Sequence, residues 1–237
     1  IMWNMSLHLL RARQLERGWE CWEQGFHPVV GTMGRNLPKR INDLERADAK
    51  DKSIDKERWT IICSEQGVGD QVLFMHSLHE AIEELGKVLF ISEARMHPIL
   101  KRSFPKMVVA NPGMTYDWKY SNLKKNGYIP LGSIPRRHRK TMGDYKNHRK
   151  PFLIANKDLY SKYREALQRE AGGRPIIGIS WKGGFWKIQR KTKALEIEKW
   201  ENIFKKNALF VNLQYGDTSK EEQFFCNDGA CCIFKHR

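Results

Sequence analysis

The chain has 237 residues, with 42 lysines and arginines against 27 aspartates and glutamates, a formal net charge of +15, and 41% hydrophobic residues. No apolar run approaches the ~20 residues that cross a bilayer, no signal-peptide pattern opens the sequence, and the five cysteines lack framework spacing. Membrane-spanning and disulfide-scaffold classes are therefore set aside for a soluble cytoplasmic protein, at most peripheral to a membrane, whose charge predicts an anionic partner: nucleic acid, an acidic surface, or a nucleotide-sugar or other phosphorylated substrate.

In chain order, Trp3, Leu7 and Leu10 recur at helical spacing, and Leu15, Trp19 and Trp22 repeat the pattern after a short break. Residues 1–25 are thus expected to form a helical hairpin. Gly18-Trp19 and the aromatics on both helices are similar to one tetratricopeptide repeat, with an ordinary αα-hairpin as the plainer alternative. Ile1 falls inside a helix already under way and 226–237 has no clear period, so the chain reads as a piece truncated at both ends. Residues 26–58 lose periodicity and become almost continuously charged from Asp43 to Lys56, which predicts a solvated linker.

The pattern then turns α/β. Thr60–Ser64 reads as a strand, Asp70–Leu85 as a helix capped by Gly86, 87–92 as a strand, Ala94–Phe104 as a helix, and Met107–Ala110 as a third strand. Strands alternating with helices imply a parallel sheet, placing a Rossmann-like domain at 59–150. Tyr128–Pro135 is read as extended, followed by the basic run 136–140. A connecting segment, 151–175, carries a helix over 158–171. Residues 176–237 start a second α/β domain with a strand at 176–181, a basic glycine loop at 182–191, a helix at about 196–206 and a strand at 209–213. They hold too few strands for a complete sheet.

Two loops carry the chemistry. Gly67-Val-Gly69 lies between the first strand and its helix, but Val72 stands where a dinucleotide fingerprint needs its third glycine, and no phosphate loop with Gly-Lys-Ser/Thr occurs. Glu93 is placed where a ribose-binding acid would fall if the fold did hold a nicotinamide cofactor. Asp70 on the first helical turn is stabilised as an anion by the helix dipole and repels a phosphate from the same amides. It can act as a general base towards an acceptor hydroxyl, or merely cap the helix. The second loop has the opposite sign. Lys182, Lys187, Arg190 and Lys191 surround Gly183-Gly184 directly after a strand, an arrangement that can hold a diphosphate or can be a solvated basic loop.

Five stretches occur in order: Ser64-Glu-Gln-Gly-Val-Gly-Asp70, Ile129-Pro-Leu-Gly-Ser-Ile-Pro135, Pro151-Phe-Leu153, Ile177-Gly-Ile-Ser-Trp-Lys-Gly183 and Leu213-Gln-x-Gly216. With the hairpin in front, the series resembles the bacterial tetratricopeptide-linked glycosyltransferases, relatives of O-GlcNAc transferase and the lipopolysaccharide heptosyltransferases. The resemblance implies a GT-B architecture of two Rossmann-like domains, and metal-independent transfer from a nucleotide sugar, which serves as co-substrate with no further cofactor. The acceptor is a glycan, lipid or protein. Asp70 falls on the catalytic base of that pattern, with Glu65, Gln66, Gly67 and Gly69 forming the acceptor-side loop. Lys182, Gly183, Gly184, Lys187 and Arg190 are the expected donor-phosphate residues. The family's later Asp-Thr and His-Leu-Ala-Gly segment has no counterpart after Gly216, which implies an incomplete donor site.

Three weaker signals stand beside this reading. Cys226, Cys231, Cys232 and His236 fit no common zinc spacing. The Arg136–Lys150 run lacks an accompanying nucleic-acid motif and is read as a solvated or substrate-steering loop. His76 and His79 are expected as partly buried helix residues. A noncatalytic polyanion or nucleic-acid binding module is the alternative to a transferase.

Overall fold

A computed structural model describes residues 2–26, 44–49, 53–65, 67–112, 122–146, 151–183 and 194–221. The chain divides into two compact units, 1–156 and 157–237.

The first unit opens with helices α1 (Met2–Arg11) and α2 (Leu15–Trp22). They approach so closely that a β-carbon on Gly18 would lie 2.7 Å from the Leu10 side chain, which is why the smallest residue stands there. Four parallel strands follow: β1 (Trp59–Cys63), β2 (Val88–Ile91), β3 (Val108–Ala110) and β4 (Lys125–Pro130), in the order β3-β2-β1-β4. The β1-to-β2 crossover carries α3 (Val68–Phe74) and α4 (Leu78–Leu85), and the β2-to-β3 crossover carries α5 (His97–Ser103). Because side chains alternate along a strand, Ile62, Val88, Phe90 and Ile129 enter one core with the helices, and Ile61, Leu89, Ile91 and Tyr128 enter a smaller one on the other face. Both faces are apolar, as a parallel sheet requires. Trp19 and Trp22 belong to the larger core and meet the Phe74 ring at 6.4 and 5.6 Å, so the hairpin packs directly on α3.

Several elements differ from their sequence-based expectation. The helix expected over 70–85 is interrupted by a 3-10 turn at Met75–Ser77. There His76 Nδ1 donates to the Leu73 carbonyl at 2.5 Å and Ser77 Oγ to that of Phe74 at 3.5 Å, side-chain bonds that compete with the α-helical ladder. The extended segment ends at Pro130 rather than Pro135, giving way to a 3-10 turn at Leu131–Ser133 and to α6 (Pro135–His138), whose first residue is a proline suited to that position. Helix α7 (Met142–Lys146) follows. Nor is the charged stretch simply a solvated linker. The Ala47 N–H donates to the Tyr128 carbonyl at 2.9 Å and the Tyr128 N–H to that of Glu45 at 3.0 Å, so 45–47 covers the free edge of β4.

The second unit holds α8 (Lys157–Ala171), β5 (Ile176–Ile179), a 3-10 turn at Ile197–Trp200 continuing into α9 (Glu201–Phe204), and β6 (Leu209–Asn212). β5 and β6 pair in parallel. Ile179, Trp181, Ile197 and Phe210 form its principal core, while Leu209 and Val211 pack with Ala171 and Leu167.

Candidate functional site

In a parallel sheet the strands deliver their carboxyl ends to one edge, and ligands gather where the strand order reverses. Here β2 and β3 lie on one side of β1 and β4 on the other, so the reversal falls between β1 and β4. The loop after β1 holds Glu65, which is 3% exposed and accepts the Gly132 N–H from the turn after β4 at 2.7 Å. A carboxylate thus joins the two strand ends at the reversal. It also has a chemical consequence next door: burial, followed by the Glu65 charge, pushes the Cys63 thiol well above its ordinary value, so Cys63 is a core side chain and no thiolate nucleophile.

Asp70 is the third residue of α3, because the helix begins at Val68. Its half-buried carboxylate accepts the Gly67 N–H at 3.3 Å, so it caps the turn. Gly69 is exposed, with open space where a β-carbon would stand. Gln66 lies outside the described residues. Gln71 and Ser92, which the sequence reading did not single out, form a buried bond in which Ser92 Oγ donates to Gln71 Oε1 at 3.0 Å, linking the start of α3 to the end of β2. A polar residue at the apolar edge of a helix and a serine closing an apolar strand were the available signals. Glu93 is exposed and pairs with Arg95 at 2.7 Å. His76 is half-buried, whereas His79 is exposed with its ring 4.6 Å from that of Phe104.

In the second unit, the carboxyl end of β5 borders a cavity of about 650 Å³ lined by Ser180, Trp181, Lys182, Gly183, Leu195 and Trp200, among others. Gln214, after β6, is the organising residue. Its Oε1 accepts Ser180 Oγ at 3.1 Å and the N–H groups of Trp181 and Lys182 at 3.1 and 3.0 Å. The two recognised stretches 177–183 and 213–216 are therefore tied together by one side chain. The Lys182 ammonium meets Glu221 at 2.5 Å, and that hydrogen bond holds the Glu221 carboxyl below its ordinary range. Lys182 and Gly183 are both half-buried at this cavity. Gly184, Lys187 and Arg190 lie outside the described residues, as do Cys226, Cys231, Cys232 and His236. Among the described residues, no group of three or more His, Cys, Asp or Glu side chains is placed to hold a metal ion, and no helix is long and apolar enough to cross a membrane.

The start of the basic run, 136–139, is not the solvated or substrate-steering loop expected but a packed clamp. Arg137 pairs with Glu84, Arg139 with Glu80 at 2.6 Å, and Arg136 with the fully buried side chain of Asp48 at 3.3 Å. Arg46 completes the set, reaching Asp48 at 2.6 Å and Glu23 at 2.9 Å. Desolvation opposes its charge, but these two carboxylates outweigh that and hold the guanidinium above its ordinary value.

This clamp makes stability pH-dependent. Burial pushes the His138 imidazole down against the pull of Glu84 and Glu80, and the Arg137 hydrogen bond holds Glu84 below the ordinary carboxylate range. For both groups the unfolded chain binds the proton more readily, so stability rises with pH. Lowering the pH below about 6.5, the ordinary histidine value, is expected to destabilise the protein, with a second loss below about 4.3 from Glu84. Urea midpoints from pH 7.5 to 5.5 check this. His138→Gln should flatten that upper part of the profile, and an unchanged slope would refute the assignment.

The two loops belong to an α/β protein whose first unit, a parallel four-stranded sheet with crossover helices, is compatible with a Rossmann-like fold. The chain is similar to Protein FlbA of Caulobacter vibrioides, at 27% identity over 229 residues covering 91% of this chain and 37% of that protein. It therefore spans little more than a third of that relative's length. No protein-family model matches, and no solved structure matches either.

Proposed function

We propose that this chain is part of a GT-B-type glycosyltransferase, transferring a sugar from a nucleotide-sugar donor to an acceptor hydroxyl without a metal. The observation that carries the reading is the position of Asp70, half-buried on the first turn of α3 where the helix leaves β1 beside the β1/β4 reversal. A carboxylate presented at the carboxyl end of a strand can take the proton of an attacking hydroxyl. Asp70 would take the acceptor proton, while Glu65 fixes the loop from which α3 starts. In the second unit, Lys182 and Gly183 with Gly184, Lys187 and Arg190 would meet the donor diphosphate, and Gln214 would hold the loop that presents them. The ordered motifs of the sequence support the same assignment. Metal-independent transfer of this kind places the work on side-chain cations and backbone amides at the leaving diphosphate.

The test uses the proposed transferase, purified with its acceptor. Asp70→Asn is expected to lower the transfer rate about 100- to 10,000-fold, the usual contribution of a general base, while nucleoside diphosphate binding is retained. An undiminished rate would remove Asp70 from the mechanism. A nucleoside diphosphate that fails to bind even the unaltered protein would remove the transferase reading.

The net charge of +15 favours a second reading, a noncatalytic module for nucleic acid or another polyanion. Oligonucleotide binding that weakens steeply with salt would support it. Binding confined to nucleoside diphosphates would oppose it.

A further inference from the structure

At the carboxyl end of β5, two acceptors from elsewhere in the second unit already occupy the groups that could meet an anion. The Trp181 and Lys182 amides both donate to Gln214 Oε1, at 3.1 and 3.0 Å, and Gln214 is 8% exposed. The Lys182 side chain is left to meet an incoming ligand. Its ammonium lies 6.0 Å from the centre of the Trp181 ring, and both residues line the cavity of about 650 Å³. That ammonium donates to Glu221, 39 residues further along the chain, at 2.5 Å. The same bond holds the Glu221 carboxyl below its ordinary range, so Glu221 is present there as an anion.

The two acceptors differ in how firmly they are held. Gln214 Oε1 accepts three donors, and the Gln214 N–H donates to Asn212 Oδ1 at 2.8 Å. The pair of Lys182 and Glu221 is open to water, with side chains 33% and 26% exposed, and such pairs contribute little. The turn that leads to Glu221 is fixed. Ser219 N–H and Oγ donate to Asp217 Oδ1 at 3.0 and 2.6 Å, and Asn212 Nδ2 donates to Thr218 Oγ1 at 3.1 Å. Glu221 can therefore leave Lys182 by changing its own rotamer, with its backbone in place.

From this geometry we propose that Glu221 is an internal competitor of the donor diphosphate: its carboxylate holds the Lys182 ammonium until a diphosphate takes its place, and it thereby sets the affinity and charge selectivity of the site. The inference rests on the reading of Lys182 as a donor-phosphate residue. A monoanion that replaces a carboxylate gains no Coulomb energy, whereas a diphosphate brings more than one charge to the same ammonium.

Isothermal titration of the full chain with inorganic pyrophosphate, at constant physiological ionic strength, tests the proposal. Glu221→Gln is expected to raise pyrophosphate affinity about fivefold, the upper worth of an exposed pair. Lys182→Met should weaken binding at least about tenfold, the loss of a hydrogen bond to a charged group. In that background Glu221→Gln should raise nothing. Glu196→Gln removes the same charge from a carboxylate paired with Lys199 at 3.2 Å, and should change affinity less than about twofold because salt screens exposed charges. An affinity unchanged or lowered by Glu221→Gln would overturn the proposal and leave the phosphate site standing, with Glu221 merely orienting the lysine. An equal gain in the Lys182→Met background, or from Glu196→Gln, would overturn it as a general effect of net charge. Pyrophosphate that binds neither the parent nor Glu221→Gln would overturn it together with the donor-phosphate reading.

Discussion

Arg139→Ala is expected to destabilise the first unit by about 3–5 kcal/mol, the usual loss when one partner of a buried ion pair is removed. The guanidinium is 1% exposed and makes three bonds: Nη1 to the His138 carbonyl at 2.8 Å, and Nη2 to the His76 carbonyl at 2.7 Å and to Glu80 at 2.6 Å. Its loss strands a carboxylate and two carbonyls and leaves a void beside Tyr145. The same residue's backbone carbonyl accepts the Trp19 indole N–H at 2.8 Å, so its peptide unit also anchors the hairpin. Urea denaturation of Arg139→Ala, Glu80→Ala and the double variant separates the terms. The pair should show a coupling of about 0.5–3 kcal/mol, and joint replacement by Met and Leu should recover much of the loss, because apolar side chains of similar volume often replace a buried pair without cost. A loss below about 1 kcal/mol for Arg139→Ala, the range of exposed pairs, would refute the clamp.

Gly127→Ala is expected to cost on the order of 3 kcal/mol or more, from strain added to a backbone clash. Gly127 has φ +123°, a conformation that side chains disfavour, and an added β-carbon would lie 2.2 Å from the Glu45 carbonyl oxygen. That oxygen belongs to the segment covering the β4 edge and cannot move without releasing its bond from the Tyr128 N–H at 3.0 Å. Loss of the cover would expose an unpaired strand edge, so the variant should aggregate on heating as well as melt earlier. Thermal unfolding followed by light scattering measures both. A melting temperature within a degree or two of the parent would show that the 45–47 segment yields freely.

How far the sequence carries depends on whether a signal is local. The hairpin is legible because Trp3, Leu7 and Leu10, and then Leu15, Trp19 and Trp22, repeat at helical spacing, and the two sets lie on α1 and α2. The strands are legible as short apolar runs; Thr60–Ser64 is displaced by one residue from the observed Trp59–Cys63. The break in the 70–85 helix is less visible, since a histidine and a serine mid-helix are common and only their bonds to carbonyls three residues back show what they do. The basic run is misread for a further reason. Its counter-charges Asp48, Glu80 and Glu84 lie roughly 50–90 residues away along the chain, at separations that no periodicity reports.

The candidate sites divide in the same way. The carboxylate at Asp70 and the glycines around it stand out because a strand-glycine-helix turn is a contiguous pattern, and the lysine beside Gly183 stands out because it directly follows an apolar run. Glu65 looks like one more polar loop residue until the fold brings Gly132 within 2.7 Å of it, and Gln214 until β6 returns alongside β5 and sets its side chain against two amides. By itself the sequence determined the α/β alternation, the hairpin and the sign of charge on each loop, because periodicity, turn chemistry and charge are properties of neighbouring residues. The strand order and the burial of Glu65, Asp48 and Arg139 were decided by the tertiary structure, because each depends on groups far apart in the chain sharing one low-dielectric interior.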